Sequence, residues 1–140
     1  MARILITGSA DGLGQMAAQL LVDAGHEVFL HARNAQRAQQ AAAAIPKAQS
    51  VLIGDLSCIA EIRPVAEQAD AAGPFDAIIH NAGVGYREPR IETVDRLEHV
   101  FANSVLAPYL LTGLIRPPRR LIYLSSGMHR GGEPDLSDLQ

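Results

Sequence analysis

Gly8, Gly12 and Gly14 carry the first chemical signal in this chain. They follow the apolar run Ile4-Leu5-Ile6. They precede a segment with apolar or small residues at Leu13, Met16, Ala17, Leu20, Leu21 and Ala24, the three-and-four spacing of one helix face. Strand, glycine turn and helix, in that order, can cradle a dinucleotide pyrophosphate. Glycine lets the backbone turn tightly and approach the phosphates, and the helix amino terminus offers free N–H groups and partial positive charge. Ser9, Asp11 and Leu13, between and beside the glycines, are further candidate contacts. The pattern Thr-Gly-x-x-x-Gly-x-Gly is wider between its first two glycines than Gly-x-Gly-x-x-Gly. No Lys-Ser/Thr pair follows it, so this is not the loop that binds nucleoside triphosphates.

Two positions further along bear on the rest of such a ligand. Arg33, in His31-Ala32-Arg33-Asn34, closes a second apolar strand. An acidic residue there would hold the ribose 2′-hydroxyl of NAD, whereas an arginine accommodates the 2′-phosphate of NADP. The expected cofactor is therefore NADP(H), with NAD(H) second; the alternative for Arg33 is a solvated strand-end side chain. Asp55, in Gly54-Asp55-Leu56-Ser57, either caps the helix that starts near Ile59 or faces the nucleotide.

Strands and helices must alternate to place these groups. The first helix closes at Ala24-Gly25-His26, with Gly25 as the residue just past its end. A strand is expected over Glu27–Ala32, then a helix capped by Asn34 and running to about Ile45 before Pro46. A third strand over Ser50–Gly54 leads to a helix over about Ile59–Ala72, stopped by Gly73-Pro74, and a fourth strand over Phe75–His80. A loop containing Gly83, Gly85 and Pro89 leads to a long helix, about Glu92–Ile115, in which Pro108 predicts a kink. Arg119–Ser125 is the fifth strand. Continuously apolar strands such as Ala77-Ile78-Ile79 fit parallel strands covered on both faces. The pattern predicts one α/β domain, a doubly wound parallel sheet (Rossmann fold) of five strands in order 3-2-1-4-5. Residues 1–126 form its ordered core, and 127–140 a Gly/Pro/Asp-rich tail without an element of its own.

Composition narrows the function classes. A net charge of −3 across 140 residues, with no basic stripe, gives no footprint for nucleic acid. The single cysteine, Cys58, excludes an internal disulfide and reads as a helix-start residue; no Cys/His cluster points to a metal. No apolar stretch approaches the ~20 residues of a membrane span. The first strand begins so early that no signal peptide fits before it, so a soluble, cytoplasmic protein is expected.

The glycine pattern, together with Gly54-Asp55-Leu56-Ser57, His80-Asn81-Ala82-Gly83 and Leu121-Ile122-Tyr123-Leu124-Ser125-Ser126-Gly127, resembles the short-chain dehydrogenase/reductase family over essentially the whole chain. The resemblance implies that Asp55 accepts a hydrogen bond from the adenine amino group while the Leu56 N–H meets a ring nitrogen. It implies that the turn Asn81-Ala82-Gly83 packs beside the adenosine ribose, with His80 replacing an asparagine and given no chemistry. Ser126 would hold the substrate oxygen. Met128-His129-Arg130-Gly131-Gly132 is similar to the retinol-dehydrogenase-like branch, without naming a substrate. Asp11 stands where many NADP-preferring relatives carry a basic residue.

Two features depart from the family pattern. An asparagine of the long helix should anchor a water in the proton relay. The register of Leu106-Ala107-Pro108-Tyr109 puts Ser104 there, and Asn103 points about 100° away unless the helix is locally over- or under-wound. The family also needs a Tyr-x-x-x-Lys helix after the serine. None of Tyr86, Tyr109 and Tyr123 has a lysine four residues on, Lys47 is the only lysine, and Tyr86-x-x-x-Arg90 is a chance match. The resemblance thus implies the cofactor-binding front of an alcohol/carbonyl oxidoreductase domain, truncated at its carboxyl end. A small alcohol or carbonyl compound would be the substrate of the completed domain. The alternative is a dinucleotide-binding or interaction module without turnover. A fifth strand with an unpaired edge leads one to expect a homo-oligomer.

Overall fold

The structure, a computed structural model, describes residues 1–85, 87–133, 135 and 137. The expected sheet is present: five strands in the order β3-β2-β1-β4-β5, every neighbouring pair parallel. These are β1 (Arg3–Ile6), β2 (Glu27–Ala32), β3 (Ser50–Ile53), β4 (Ala77–His80) and β5 (Arg120–Tyr123). Strand ends fall up to two residues inside the sequence-based bounds. Helices α1 (Gly12–Asp23), α2 (Ala35–Ala44) and α3 (Ile59–Ala72) alternate with the first four strands.

Side-chain alternation along β1 builds the two layers. Ile4 and Ile6 pack with Val28, Leu30, Ala18, Val22, Ala41 and Ile45 under α1 and α2. Leu5 points the other way, into Phe29, Leu52, Ile78, Ile62, Val65 and Leu111. Burying each such aliphatic side chain is worth about 1.5–3 kcal/mol, and the parallel register brings the carboxyl ends of all five strands to one edge of the sheet.

The first helix differs from expectation in which face it buries. Gly14, Ala18 and Val22 are the buried residues of α1, whereas Leu13, Met16 and Leu20 are exposed. Small residues win because the helix lies close against the sheet, where a long side chain has no room. At its other end Gly25 has φ +85, and the His26 and Gly25 N–H groups bond to the Leu21 and Val22 carbonyls, a Schellman closure.

The long fourth helix is also corrected. Glu92 pairs instead in an antiparallel bridge with Glu98, across a turn in which Arg96 has φ 60. The helix starts seven residues later than expected, as α4 (His99–Phe101), with the Glu98 carboxylate accepting from the Phe101 N–H. It continues through a π-helical segment, Ala102–Leu106, into α5 (Ala107–Leu114). The irregularity expected from Pro108 lies in the turn before it: proline has no N–H for the Ser104 carbonyl, and the Ala107 N–H bonds to the Ala102 carbonyl five residues back. A 3₁₀ turn, Gly127–His129, forms in the tail expected to lack any element. Residues 134, 136 and 138–140 of that tail, and Tyr86 of the chance Tyr-x-x-x-Arg match, lie outside the described residues.

Candidate functional site: a dinucleotide cleft at the carboxyl edge of the sheet

The turn after β1 is tied down from two sides. On one side, Thr7 Oγ1 accepts from the N–H groups of Asn81 (3.0 Å) and Ala82 (3.1 Å), and Asn81 Nδ2 donates to the Thr7 and Gly8 carbonyls at 3.1 and 3.0 Å. A Cβ on Gly8 would stand 2.7 Å from Ala82 Cα, and one on Gly14 2.4 Å from both Asn81 Nδ2 and the Gly8 oxygen. These two glycines thus let the turns after β1 and β4 close on each other. Gly12 serves differently: its φ is +55, and a Cβ there would meet no atom within 4 Å. It faces open cleft.

On the other side stands His31, at 3% exposure. Its Nδ1 accepts from the Gly8 N–H at 3.0 Å and its Nε2 lies 2.9 Å from the Gly54 carbonyl, to which it must donate. One neutral imidazole thereby joins the turns after β1 and β3. Burial pushes its pKa down, against a partial upward pull from the Gly54 bond and from Asp55. Ser9, expected at the ligand, instead lies fully buried beneath the turn, donating to the Ile6 carbonyl and accepting from the His31 N–H. Its side chain is used up in holding the loop.

Above this platform is a cleft of about 460 Å³, lined by Gly8, Asp11, Gly12, Leu13, Gly14, Arg33, Asp55, Leu56, Asn81, Ala82 and Gly83. Every cofactor candidate from the sequence except Ser9 is therefore at one site, of a size typical of ligand pockets. Ala10, His31, Ala32, Arg37, Val84, His99 and Asn103 complete the wall. Arg37 and His99 belong to no motif in the sequence. Arg37 follows the cap residue Asn34 by three positions and faces the cleft from the first turn of α2, a signal that could have been read.

Asp55 resolves one open alternative. It does not cap α3, whose N-cap is Cys58, as expected for a helix-start residue. Its Oδ1 accepts from the Ser57 N–H and hydroxyl, while Asp95 of a distant loop takes the Ile59 N–H. The carboxylate is left on the cleft wall.

Asn103 is the second residue of the π-helical segment, where the helix is locally under-wound. Asn103, 8% exposed, turns into the cofactor cleft beside His99, whose carbonyl accepts from its Nδ2 at 3.2 Å. Ser104 lines a second, smaller cleft with His80, Asn81, Ala82, Gly83, Pro108, Tyr123 and Leu124. Within it the His80 and Tyr123 rings stack 5.0 Å apart at 10°, and burial lowers the His80 pKa to about 4. The His80 Nε2 is buried without a hydrogen-bond partner. Ser126 is exposed and lines neither cleft; its Oγ accepts from the Met128 N–H and caps the 3₁₀ turn. No group of metal-ligating side chains occurs among the described residues, and none of their helices is long and apolar enough to cross a membrane.

A parallel sheet of this order, with a glycine turn, a clamped asparagine turn and a cleft at the strands' carboxyl ends, defines a dinucleotide-binding α/β protein. The family model described as short chain dehydrogenase matches residues 2–120, and the chain belongs to that family. An uncharacterized oxidoreductase of Emericella nidulans is 51% identical over 142 residues, covering 99% of this chain and 56% of the relative. A short-chain dehydrogenase of Penicillium rubens is 48% identical, covering 99% and 54%. Among solved structures, an uncharacterized protein from Mycobacterium paratuberculosis superposes with a TM-score of 0.82 at 29% identity, covering 99% of this chain and 51% of that one. The chain spans about half the length of the curated relatives it matches.

Proposed function

We propose that this chain is the NADP(H)-binding portion of an alcohol/carbonyl oxidoreductase and prefers NADPH to NADH. The observation that carries the preference is Arg33, exposed on the cleft wall at the end of β2, with no carboxylate at that strand end. A carboxylate there would hold the 2′-hydroxyl, whereas a guanidinium pairs with a 2′-phosphate bidentately. Gly8, Gly12, Leu13 and Gly14 would hold the pyrophosphate, Asp55 and Leu56 the adenine, and Asn81, Ala82 and Gly83 the ribose. The cofactor supplies the hydride. Asn103 orients a proton-relay water, and Ser126 holds the substrate oxygen, two residues beyond Leu124 of the second cleft.

Calorimetric titration with NADPH and NADH tests the preference. Tighter NADPH binding, reversed in Arg33→Asp, supports it; equal affinities overturn it. These 140 residues carry no tyrosine with a lysine four positions on. That favours a second reading, a dinucleotide-binding module in which this polypeptide binds NADPH without turning over aldehydes, ketones or quinones. Reductase activity of the 140-residue chain that Ser126→Ala abolishes would refute the second reading. Among the described residues no strand pairs with the outer edge of β5, and Leu121, Tyr123 and Leu124 are exposed beside it. We expect association into oligomers as a result, and a monomer by light scattering at tens of micromolar would contradict that.

A further inference from the structure

We propose that Arg37 is a second 2′-phosphate ligand and that Asp11 holds it in reserve as a competing anion, so that this pair tunes the preference for NADP(H). The inference rests on the NADP(H) reading of Arg33.

Asp11 occupies the N-cap position of α1, where an aspartate ordinarily accepts a hydrogen bond from its own helix. Here it makes no such bond. Its carboxylate instead reaches Nη2 of Arg37, twenty-six positions along the chain, in an ion pair between the first turn of α1 and the first turn of α2. Both residues line the cofactor cleft, and Arg33 lines the same wall. Arg37 is fixed there by its backbone: its N–H donates to the capping Asn34 Oδ1 at 2.9 Å. Its Nη1 also donates to the Gln40 Oε1 at 3.4 Å, a long bond to an uncharged acceptor.

The pair is exposed on the Asp11 side, 71% against 33% for Arg37. An ion pair so open to water holds its partners weakly. A ribose 2′-phosphate carries close to two negative charges at neutral pH and three acceptor oxygens, against one charge on the carboxylate. It can therefore take Arg37 from Asp11 and share it with Arg33. Asp11 still opposes the exchange twice, by occupying the guanidinium and by placing a like charge near the incoming phosphate. A ligand with a free 2′-hydroxyl engages neither effect.

The test is calorimetric binding of NADPH, NADH, adenosine 2′,5′-bisphosphate and 5′-AMP to the 140-residue chain and to Arg33→Ala, Arg37→Ala and Asp11→Asn. Arg37→Ala should weaken NADPH and the bisphosphate about tenfold and leave NADH and 5′-AMP within a factor of two. Asp11→Asn should tighten NADPH and the bisphosphate several-fold with the same indifference to the 2′-hydroxyl ligands. An Arg37→Ala chain whose NADPH/NADH ratio is unchanged overturns the assignment. So does one that loses both cofactors equally, because that marks a structural role. Asp11→Asn that weakens NADPH, or leaves it unchanged, removes Asp11 as competitor and overturns the paired device. The underlying Arg33 reading fails separately, by an Arg33→Ala chain that keeps the wild-type ratio.

Discussion

Acidification should destabilise this domain through His80, and the size of the effect follows from its surroundings. The ring is 7% exposed, stacked on Tyr123, and carries a buried Nε2 without a partner. Burial lowers its pKa from 6.5 to about 4. Near neutrality both folded and unfolded chains hold the imidazole uncharged, and His80 makes stability independent of pH. Below about pH 6.5 the unfolded chain takes up a proton that the folded chain refuses until about pH 4. Stability must therefore fall as pH falls through that window. With those two values, the loss between pH 7.5 and pH 5 is about 2 kcal/mol.

The assay is urea unfolding of the wild type and His80→Phe at both pH values. Phenylalanine keeps a ring against Tyr123, leaves no hydrogen bond broken, and can extend toward the adjoining cleft. Every other ionisable group is common to both proteins, so the difference between the two pH effects isolates His80. The wild type should lose about 2 kcal/mol more than the variant. Parallel losses would show that His80 is protonated in the folded state at pH 5, and would refute the account of its burial.

Three further variants separate the jobs of the turn's residues and of the histidine beneath them. Gly14→Ala should destabilise the fold by about 1–3 kcal/mol in urea, because its Cβ would displace the Asn81 amide and with it the clamp on Gly8. Gly12→Val should fold with a penalty of about 1–2 kcal/mol from its left-handed backbone, yet lose NADPH binding, since its side chain enters open cleft. His31→Leu leaves the Gly8 N–H and the Gly54 carbonyl unpaired. It should cost about 2–4 kcal/mol by the usual penalty for two such groups and weaken both cofactors alike. A variant as stable as wild type would show that the imidazole does not bridge the two turns.

Local sequence determined the elements and, through them, most of the site. Helix α3 runs over the expected residues, Asn34 caps α2, and the alternation of apolar strands with helices was enough for the strand order. Because ligands bind at the carboxyl ends of such strands, naming the residues after β1, β2, β3 and β4 already assembled the cleft wall. Tertiary structure decided what a linear pattern cannot encode. The face of α1 was set by how close the helix lies to the sheet, so Gly14, Ala18 and Val22 were buried in place of Leu13, Met16 and Leu20. Residues 92–98, expected to open the long helix, closed instead into a bridged turn. Ser9 turned under the loop because the backbone of His31 offered it a donor from another strand. Asn103 lines the cleft from the start of a π-helical segment that no local pattern announces. The contact of Asp11 with Arg37 joins two helices whose nearness exists only once both lie on the same face of the sheet. Periodicity fixes what a residue's neighbours along the chain allow. Which partner meets each polar side chain is a matter of long-range geometry, and only the packed sheet supplies it.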